Sequence, residues 1–237
     1  MPVHTELQAV LFDMDGTLVD TERLWRRTVE EEALGRGIAL TDADLAFVLG
    51  RAVEDCAAHL ASRTEGRTEG RTEGQVDGRV DGRVDAAVLG DSLERRFTAL
   101  VRRQVVPLPG AVELLATLHA EGIPTALVSA SPRPVVDTVL DALGRRWFTV
   151  SVAAGETPRT KPHPDPYRAA LTRLGTAPAS CVAVEDTPTG VASAEAAGCE
   201  VVAVPSLTTI APAPHRTVVR SLLDVDVDLL RRLTAAP

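Results

Sequence analysis

Four residue types at telling spacings invite a chemical reading before any fold is considered. Asp13 and Asp15 stand two apart in DMDGTLVD (13–20), directly after the apolar run LQAVLF (7–12). In an extended segment, residues two apart point to the same side, so both carboxylates can serve one site. Gly16 permits a tight turn just beyond them. A second acidic pair, Glu185 and Asp186, closes CVAVE (181–185) and opens EDTPTGVASAEAAG. Each pair has a plainer reading. Acids at a strand end serve as helix N-terminal charges, and DMDG is also compatible with an ordinary strand-to-helix turn. An EF-hand loop is the poorer match, because its Gly belongs at the sixth position and here it is the fourth. Two acidic clusters at one edge of a sheet would repel each other unless a cation sat between them. A donor set made of hard oxygens suits Mg2+, which keeps several waters and shares its coordination shell with phosphate.

The positive partner is singular. Of the 25 Lys and Arg residues only Lys161 is a lysine. A chain that uses Arg wherever a generic cation serves has placed its one lysine in TKPHPDPY. A compact ammonium can touch a carboxylate and a phosphate oxygen at once, where a planar guanidinium is harder to seat. Ser129, in LVSAS (127–131), can offer a hydroxyl and, with Ala130, backbone N–H groups to an anion; taken alone it reads better as an ordinary helix cap.

These residues need a scaffold that brings distant segments to one edge. From Pro107 onward, helices and strands alternate. Helices are expected at 110–121, 132–143, 165–174, 189–197 and near 226–233, and strands at 125–129, 148–153, 181–185, 200–204 and near 217–220. With the first strand at 7–12, this alternation predicts a parallel sheet with helices on both faces. Ligands in such sheets bind beyond the carboxyl ends of the strands, where Asp13, Asp15, Ser129, Glu185 and Asp186 all fall. Between the first strand and Pro107 the pattern is helical, at about 21–34, 41–49, 52–62 and 86–104. Asp20 or Thr21 is placed to cap the first of these helices, and Leu24, Trp25, Thr28 and Val29 are placed to form its inner face. The interruption RTEGRTEGRTEGQVDGRVDGRVD (63–85) has a period of four, recurrent Gly and alternating charge, and reads as a disordered or loose surface loop.

Composition narrows the setting. A net charge of -8 disfavours general nucleic-acid binding, which needs a basic surface. Aromatics make up 3%, so Val, Leu and Ala must fill the core. Cys56, Cys181 and Cys199 are far apart and follow no metal-binding or disulfide pattern. No apolar run approaches the length of a membrane span. A cytoplasmic protein, monomer or homodimer, without membrane association, is expected.

AVLFDMDGT, LVSAS, Lys161 in KPHPDPY, and VEDTPTGVASAEAAG together, in this order, resemble the four motifs of the haloacid dehalogenase superfamily. The resemblance spans nearly the whole chain apart from 63–85. It implies a Rossmann-like α/β catalytic core formed by 1–19 and 106–237, with an inserted helical cap domain at 20–105. It implies that Asp13 is the nucleophile on phosphorus and that Asp15 is the general acid and base. Mg2+ would be held by Asp13, the Asp15 carbonyl, Asp186 and Glu185. Ser129, Ala130, Thr17 and Lys161 would hold the phosphoryl group. LGRAVED (49–55) resembles a substrate-facing cap loop, which makes Gly50 and Arg51 specificity candidates. The implied activity is a Mg2+-dependent phosphatase acting on a small phosphorylated metabolite, most typically a sugar phosphate. Asp15 disfavours dehalogenase and phosphonatase branches. A phosphomutase resembling beta-phosphoglucomutase is the closer rival, although the position where that branch carries a His is Trp25 here. A catalytically silent binding protein on the same fold is the alternative of another class.

Overall fold

A computed structural model of the protein describes residues 6–48, 51, 53–63, 79–80, 83–206 and 208–235. In chain order the elements are β1 (Ala9–Phe12), α1 (Glu22–Gly35), α2 (Asp42–Val48), α3 (Val53–Ser62), β2 (Arg79–Val80), β3 (Arg83–Val84), α4 (Ala86–Gln104), α5 (Ala111–Ala120), β4 (Thr125–Val128), α6 (Arg133–Leu143), β5 (Val150–Val152), α7 (Asp165–Leu174), β6 (Cys181–Glu185), α8 (Pro188–Ala197), β7 (Glu200–Ala203), β8 (Arg216–Val218) and α9 (Val227–Thr234). They form two compact units, Met1–Asp20 with Val105–Pro237, and Thr21–Gln104.

The first unit is built on a six-stranded sheet in the order β5-β4-β1-β6-β7-β8, with every pair parallel. This is the α/β architecture expected from the alternation of strands and helices. All four residues of β1, AVLF, are buried, as a central strand covered on both faces requires. The core beside it is made of small and branched side chains, among them Ala9, Leu11, Ala126, Val128, Ala183 and Val201, with Tyr167 as its large member. The strand order reverses around β1. The chain steps outward to β4 and β5 on one side, then crosses to β6, β7 and β8 on the other. Register levels the strand ends: Phe12 pairs with Leu127 on one side and Val184 on the other. The residues that follow, Asp13, Ser129 and Glu185, therefore emerge along one edge, at the switch point where such sheets bind ligands. The two places where the chain leaves and re-enters this unit are joined by backbone hydrogen bonds. Asp20 N–H reaches Val106 O at 3.1 Å, and Leu108 N–H reaches Leu18 O at 2.9 Å.

The second unit consists of α1 to α4 and a small hairpin. The inner face of α1 carries Leu24, Trp25, Thr28 and Val29, as expected, and also Glu32. Trp25 donates its indole N–H to Val48 O at 2.8 Å and meets Phe97 edge-on at 5.2 Å. Its ring is a packing element. Glu32 is buried yet paired twice, with Arg36 at 2.8 Å and Arg96 at 2.7 Å, which ties α1 to α4. Thr21 precedes α1 but makes no side-chain capping bond there.

Helix α2 begins with a reciprocal capping box. Thr41 Oγ1 accepts from Asp44 N–H at 3.2 Å, and Asp44 Oδ2 accepts from Thr41 N–H at 2.9 Å. This pairing satisfies two of the amides that a helix start leaves open. Asp44 also receives His59 at 2.8 Å and Arg63 at 3.4 Å. The backbone and hydroxyl bonds from Thr41 come first among the causes that hold its carboxyl at about 2, below the usual 3.8. A carboxyl lowered on folding adds stability that is fully present above pH 4 or so and is lost as pH falls toward 2. Asp44→Asn is therefore expected to lower stability at pH 7 by about 1 kcal/mol, the scale of a lost cap. It should also flatten the acid limb of the stability profile. Urea unfolding at pH 7 and pH 3 checks this: an equal gap between variant and wild type at both values would refute it.

The described ends of 63–85 depart from the expected loose loop. Arg63 closes α3 in a turn. At the other end β2 and β3 pair antiparallel, Arg79 opposite Val84 and Val80 opposite Arg83. The two residues between these strands in the sequence are Asp81-Gly82, a dipeptide strongly preferred in two-residue hairpins. The Val–Arg alternation suits a strand better than the Gly content suggested, and Val84 is buried. The expectation for 64–78 lies outside the described residues. Among the described residues no helix is long and apolar enough to cross a membrane.

Candidate active site

Lys161 lies in the loop between β5 and α7 and is buried, with 9% of its surface exposed. Its ammonium donates to Asp13 Oδ1 at 2.6 Å, Glu185 Oε1 at 2.6 Å and Val128 O at 2.9 Å. An ammonium has three donors, and these three acceptors use them all. Burial by itself would lower the lysine pKa. The charges of Asp13 and Glu185 outweigh it and hold the group above its ordinary value, so Lys161 stays charged. Tyr167, fully buried in the first turn of α7, donates its hydroxyl to the same Glu185 Oε1 at 2.6 Å. Burial, followed by the charges of Glu185 and Asp13, pushes that phenol well above its usual value, so it remains a donor.

Asp13, Glu185 and Asp186 converge. One oxygen from each lies within 4.8 Å of the others, and all three residues are buried. Burial, then the negative charges of Asp13 and Glu185, push Asp186 up to about 9. Three carboxylates face one ammonium here, so the cluster has an excess of negative charge. Two carboxylate oxygens, Asp13 Oδ2 and Asp186 Oδ1, are buried with no hydrogen-bond partner. Unpartnered buried carboxylate oxygens are costly unless something else meets them. The donor set fits a hard divalent cation such as Mg2+ in oxygen type, in charge and in these open lone pairs. The Asp15 carboxylate does not belong to this trio.

The turn after β1 is shaped to admit Asp186. Gly16 has φ +82°, and a β-carbon there would overlap the Asp186 carboxylate. Gly190, in α8, does the same for Glu185. Asp15 faces the turn after β4, where Ser129 and Ser131 both donate hydroxyls to its Oδ2, at 3.0 and 2.8 Å. Ser131 N–H in turn reaches Ser129 Oγ at 2.9 Å. The Ser129 N–H is taken by Val152 O at 3.0 Å, so the serine meets Asp15 through its hydroxyl. Ala130 is exposed at this turn. Thr17 is fully buried, and its hydroxyl has no hydrogen-bond partner.

The first unit thus brings Asp13, Lys161, Glu185 and Asp186 into one cluster and sets Asp15 on Ser129. Arg51 belongs to the second unit, where its guanidinium lies 4.2 Å over the Phe47 ring and Phe47 stacks on His59 at 4.0 Å. Gly50 lies outside the described residues. Three contributors escaped the sequence reading. Ser131 and Tyr167 sit inside the quoted stretches LVSAS and KPHPDPY, and a second hydroxyl near an acid, or one Tyr in an aromatic-poor chain, was the available signal. Ser206, which donates to Asp186 Oδ2 at 2.6 Å, carries no local signal beyond following a strand end.

Comparison with known proteins agrees with this geometry. Residues 7–198 match the haloacid dehalogenase-like hydrolase family. Hexitol phosphatase A of Escherichia coli (strain K12) is 36% identical over 195 residues, covering 82% of this chain and 81% of that protein. Protein CbbY of Rhodobacter capsulatus is 35% identical over 206 residues, covering 85% and 86%. A crystal structure of CbbY from Rhodobacter sphaeroides in complex with phosphate superposes with a TM-score of 0.74 at 26% identity, covering 92% of this chain and 96% of that one. With a parallel sheet that collects the four motifs at one edge, and relatives matched over most of its length, the chain belongs to the haloacid dehalogenase-like hydrolases.

Proposed function

We propose that this enzyme is a Mg2+-dependent phosphatase of a small phosphorylated metabolite, with a sugar or polyol phosphate as its substrate. It is a phosphoric monoester hydrolase by family and by the names its relatives carry. The observation that carries the mechanism is the Lys161 ammonium locked between Asp13 and Glu185, beside two buried and unpartnered carboxylate oxygens.

In this reading Asp13 attacks phosphorus. A carboxylate O–P bond forms as the ester P–O bond breaks, and the leaving alkoxide takes a proton from Asp15. Asp15 then accepts a proton from the water that attacks the aspartyl-phosphate, which frees inorganic phosphate and restores Asp13. Lys161 holds Asp13 through Oδ1, which orients the carboxylate and offsets charge on the transferring phosphoryl group. The hydroxyls of Ser129 and Ser131 hold Asp15 in place, and Ser129 with Ala130 is assigned to the phosphoryl oxygens. A divalent cation held by Asp13, Glu185, Asp186 and the Asp15 carbonyl would supply the positive charge that lets one anion approach another. Gly50 and Arg51 are assigned to substrate discrimination; the stacking of Arg51 on Phe47 pre-orders a group suited to a sugar hydroxyl or second anion. Three cysteines, all free and buried, suit a cytoplasmic setting.

The test is phosphate release across a panel of hexitol, hexose, pentose and two-carbon phosphates, with Mg2+ and with chelator. Turnover of at least one sugar or polyol phosphate, abolished by chelation, is the expected result. Isomerised phosphate ester without free phosphate would sink the phosphatase reading.

A further inference from the structure

Asp186 is handled differently from the other two carboxylates of the trio. Asp13 and Glu185 each give one oxygen to Lys161. Asp186 is not among the three acceptors of that ammonium. Its Oδ2 is met by the Ser206 hydroxyl at 2.6 Å, while its Oδ1 is buried without a partner. Ser206 lies three residues beyond β7, the strand paired with β6, so its loop opens on the same sheet edge as Asp186. The loop is anchored at its base, where Val204 N–H reaches Glu185 O at 2.7 Å. The absent side chain of Gly16 leaves the room in which this contact forms: a β-carbon there would strike Asp186 Oδ2 and come within 3.2 Å of Ser206 Oγ.

We infer that Ser206 is a positioning residue for the cation site, fixing the Asp186 carboxylate by Oδ2 so that Oδ1 is presented to a divalent cation. A carboxylate has one torsion that decides where its two oxygens point, and a short charge-assisted bond to one oxygen sets the other. Groups that orient metal ligands in this way typically account for about 10- to 100-fold in metal affinity. Ser206 is itself exposed, so trimming its hydroxyl removes no core packing. The inference rests on the divalent-cation reading of the Asp13, Glu185 and Asp186 cluster.

The experiment is Mg2+ binding by isothermal titration calorimetry in full-length wild type, Ser206→Ala, Ser206→Thr and Asp186→Asn, with thermal midpoints recorded in chelator. Ser206→Ala should raise the Mg2+ dissociation constant about tenfold or more, with an unchanged midpoint in chelator, and Ser206→Thr should stay near wild type. Binding that is lost in Asp186→Asn but equal in wild type and Ser206→Ala would overturn this inference alone. Weakening that Ser206→Thr fails to restore would overturn the role of the hydroxyl. Absence of Mg2+ binding in wild type would overturn the cation reading and this inference with it.

Discussion

Asp13→Asn should reduce phosphate release by roughly 10^4-fold or more, the scale on which removing a nucleophile acts, while the protein stays folded. The amide has nearly the shape of the carboxylate but lacks the charge and nucleophilicity the proposed first step requires. Folding should survive because Asp13 belongs to a cluster with too much negative charge. Lys161 would keep Glu185 Oε1 and Val128 O as acceptors, and Asp186 and Glu185 would lose a repelling neighbour. In chelator the thermal midpoint of the variant should equal or exceed that of wild type. Steady-state phosphate release and a thermal melt give both answers. Activity within tenfold of wild type would remove Asp13 from the nucleophile's role, whatever the melt shows.

Lys161→Met carries the largest expected cost in stability. It keeps a long side chain and deletes the charge, leaving Asp13 Oδ1 and Glu185 Oε1 buried without their cation. Breaking a buried pair in this way costs about 3–5 kcal/mol. The sign of its pH dependence follows from the carboxylates. Burial already raises Glu185 above its usual value, with Lys161 pulling the other way. A carboxyl whose pKa is raised on folding favours the folded state at low pH and disfavours it as pH climbs through the folded value. The deficit of Lys161→Met should therefore be smaller at pH 5 than at pH 8. Lys161→Arg should not rescue it, because a planar fork cannot converge on three acceptors that surround a single nitrogen. Urea unfolding of both variants at the two pH values tests the argument; a Lys161→Met protein as stable as wild type at pH 8 would contradict it.

The sheet was readable from sequence because its strands are continuous apolar runs bounded by turns, and each short run is followed by a helical period. β1 and β6 are the clearest cases, with every residue buried. Strand ends were read less well. The stretch 148–153 contributes only Val150–Val152 to β5, after a tight turn at Arg145–Trp147, because Phe148 and Thr149 are strand-favouring residue types that lie outside the sheet. The acids of the site were readable because they close buried apolar strands, and the lysine because it is the one lysine among 25 basic residues. The hydroxyls were not. Ser, Thr and Tyr are common in loops and helix starts, and which oxygen they meet is decided by register between strands far apart in sequence, as with Ser206 beside Asp186 or Tyr167 beside Glu185. The pairing of β2 with β3 is hard to see in the sequence, because recurrent Gly and charge mask two short Arg–Val strands.

The solitary lysine has one more consequence. Every other basic side chain on Lys or Arg positions is a guanidinium, so side-chain amine chemistry such as acylation, carbamylation and imine formation has a single address in this molecule. The fold closes that address behind two carboxylates and a carbonyl, with all three N–H bonds committed. The exterior of the described protein is thus inert toward reagents that seek lysine. A modified lysine, wherever it were found, would record that the molecule had opened.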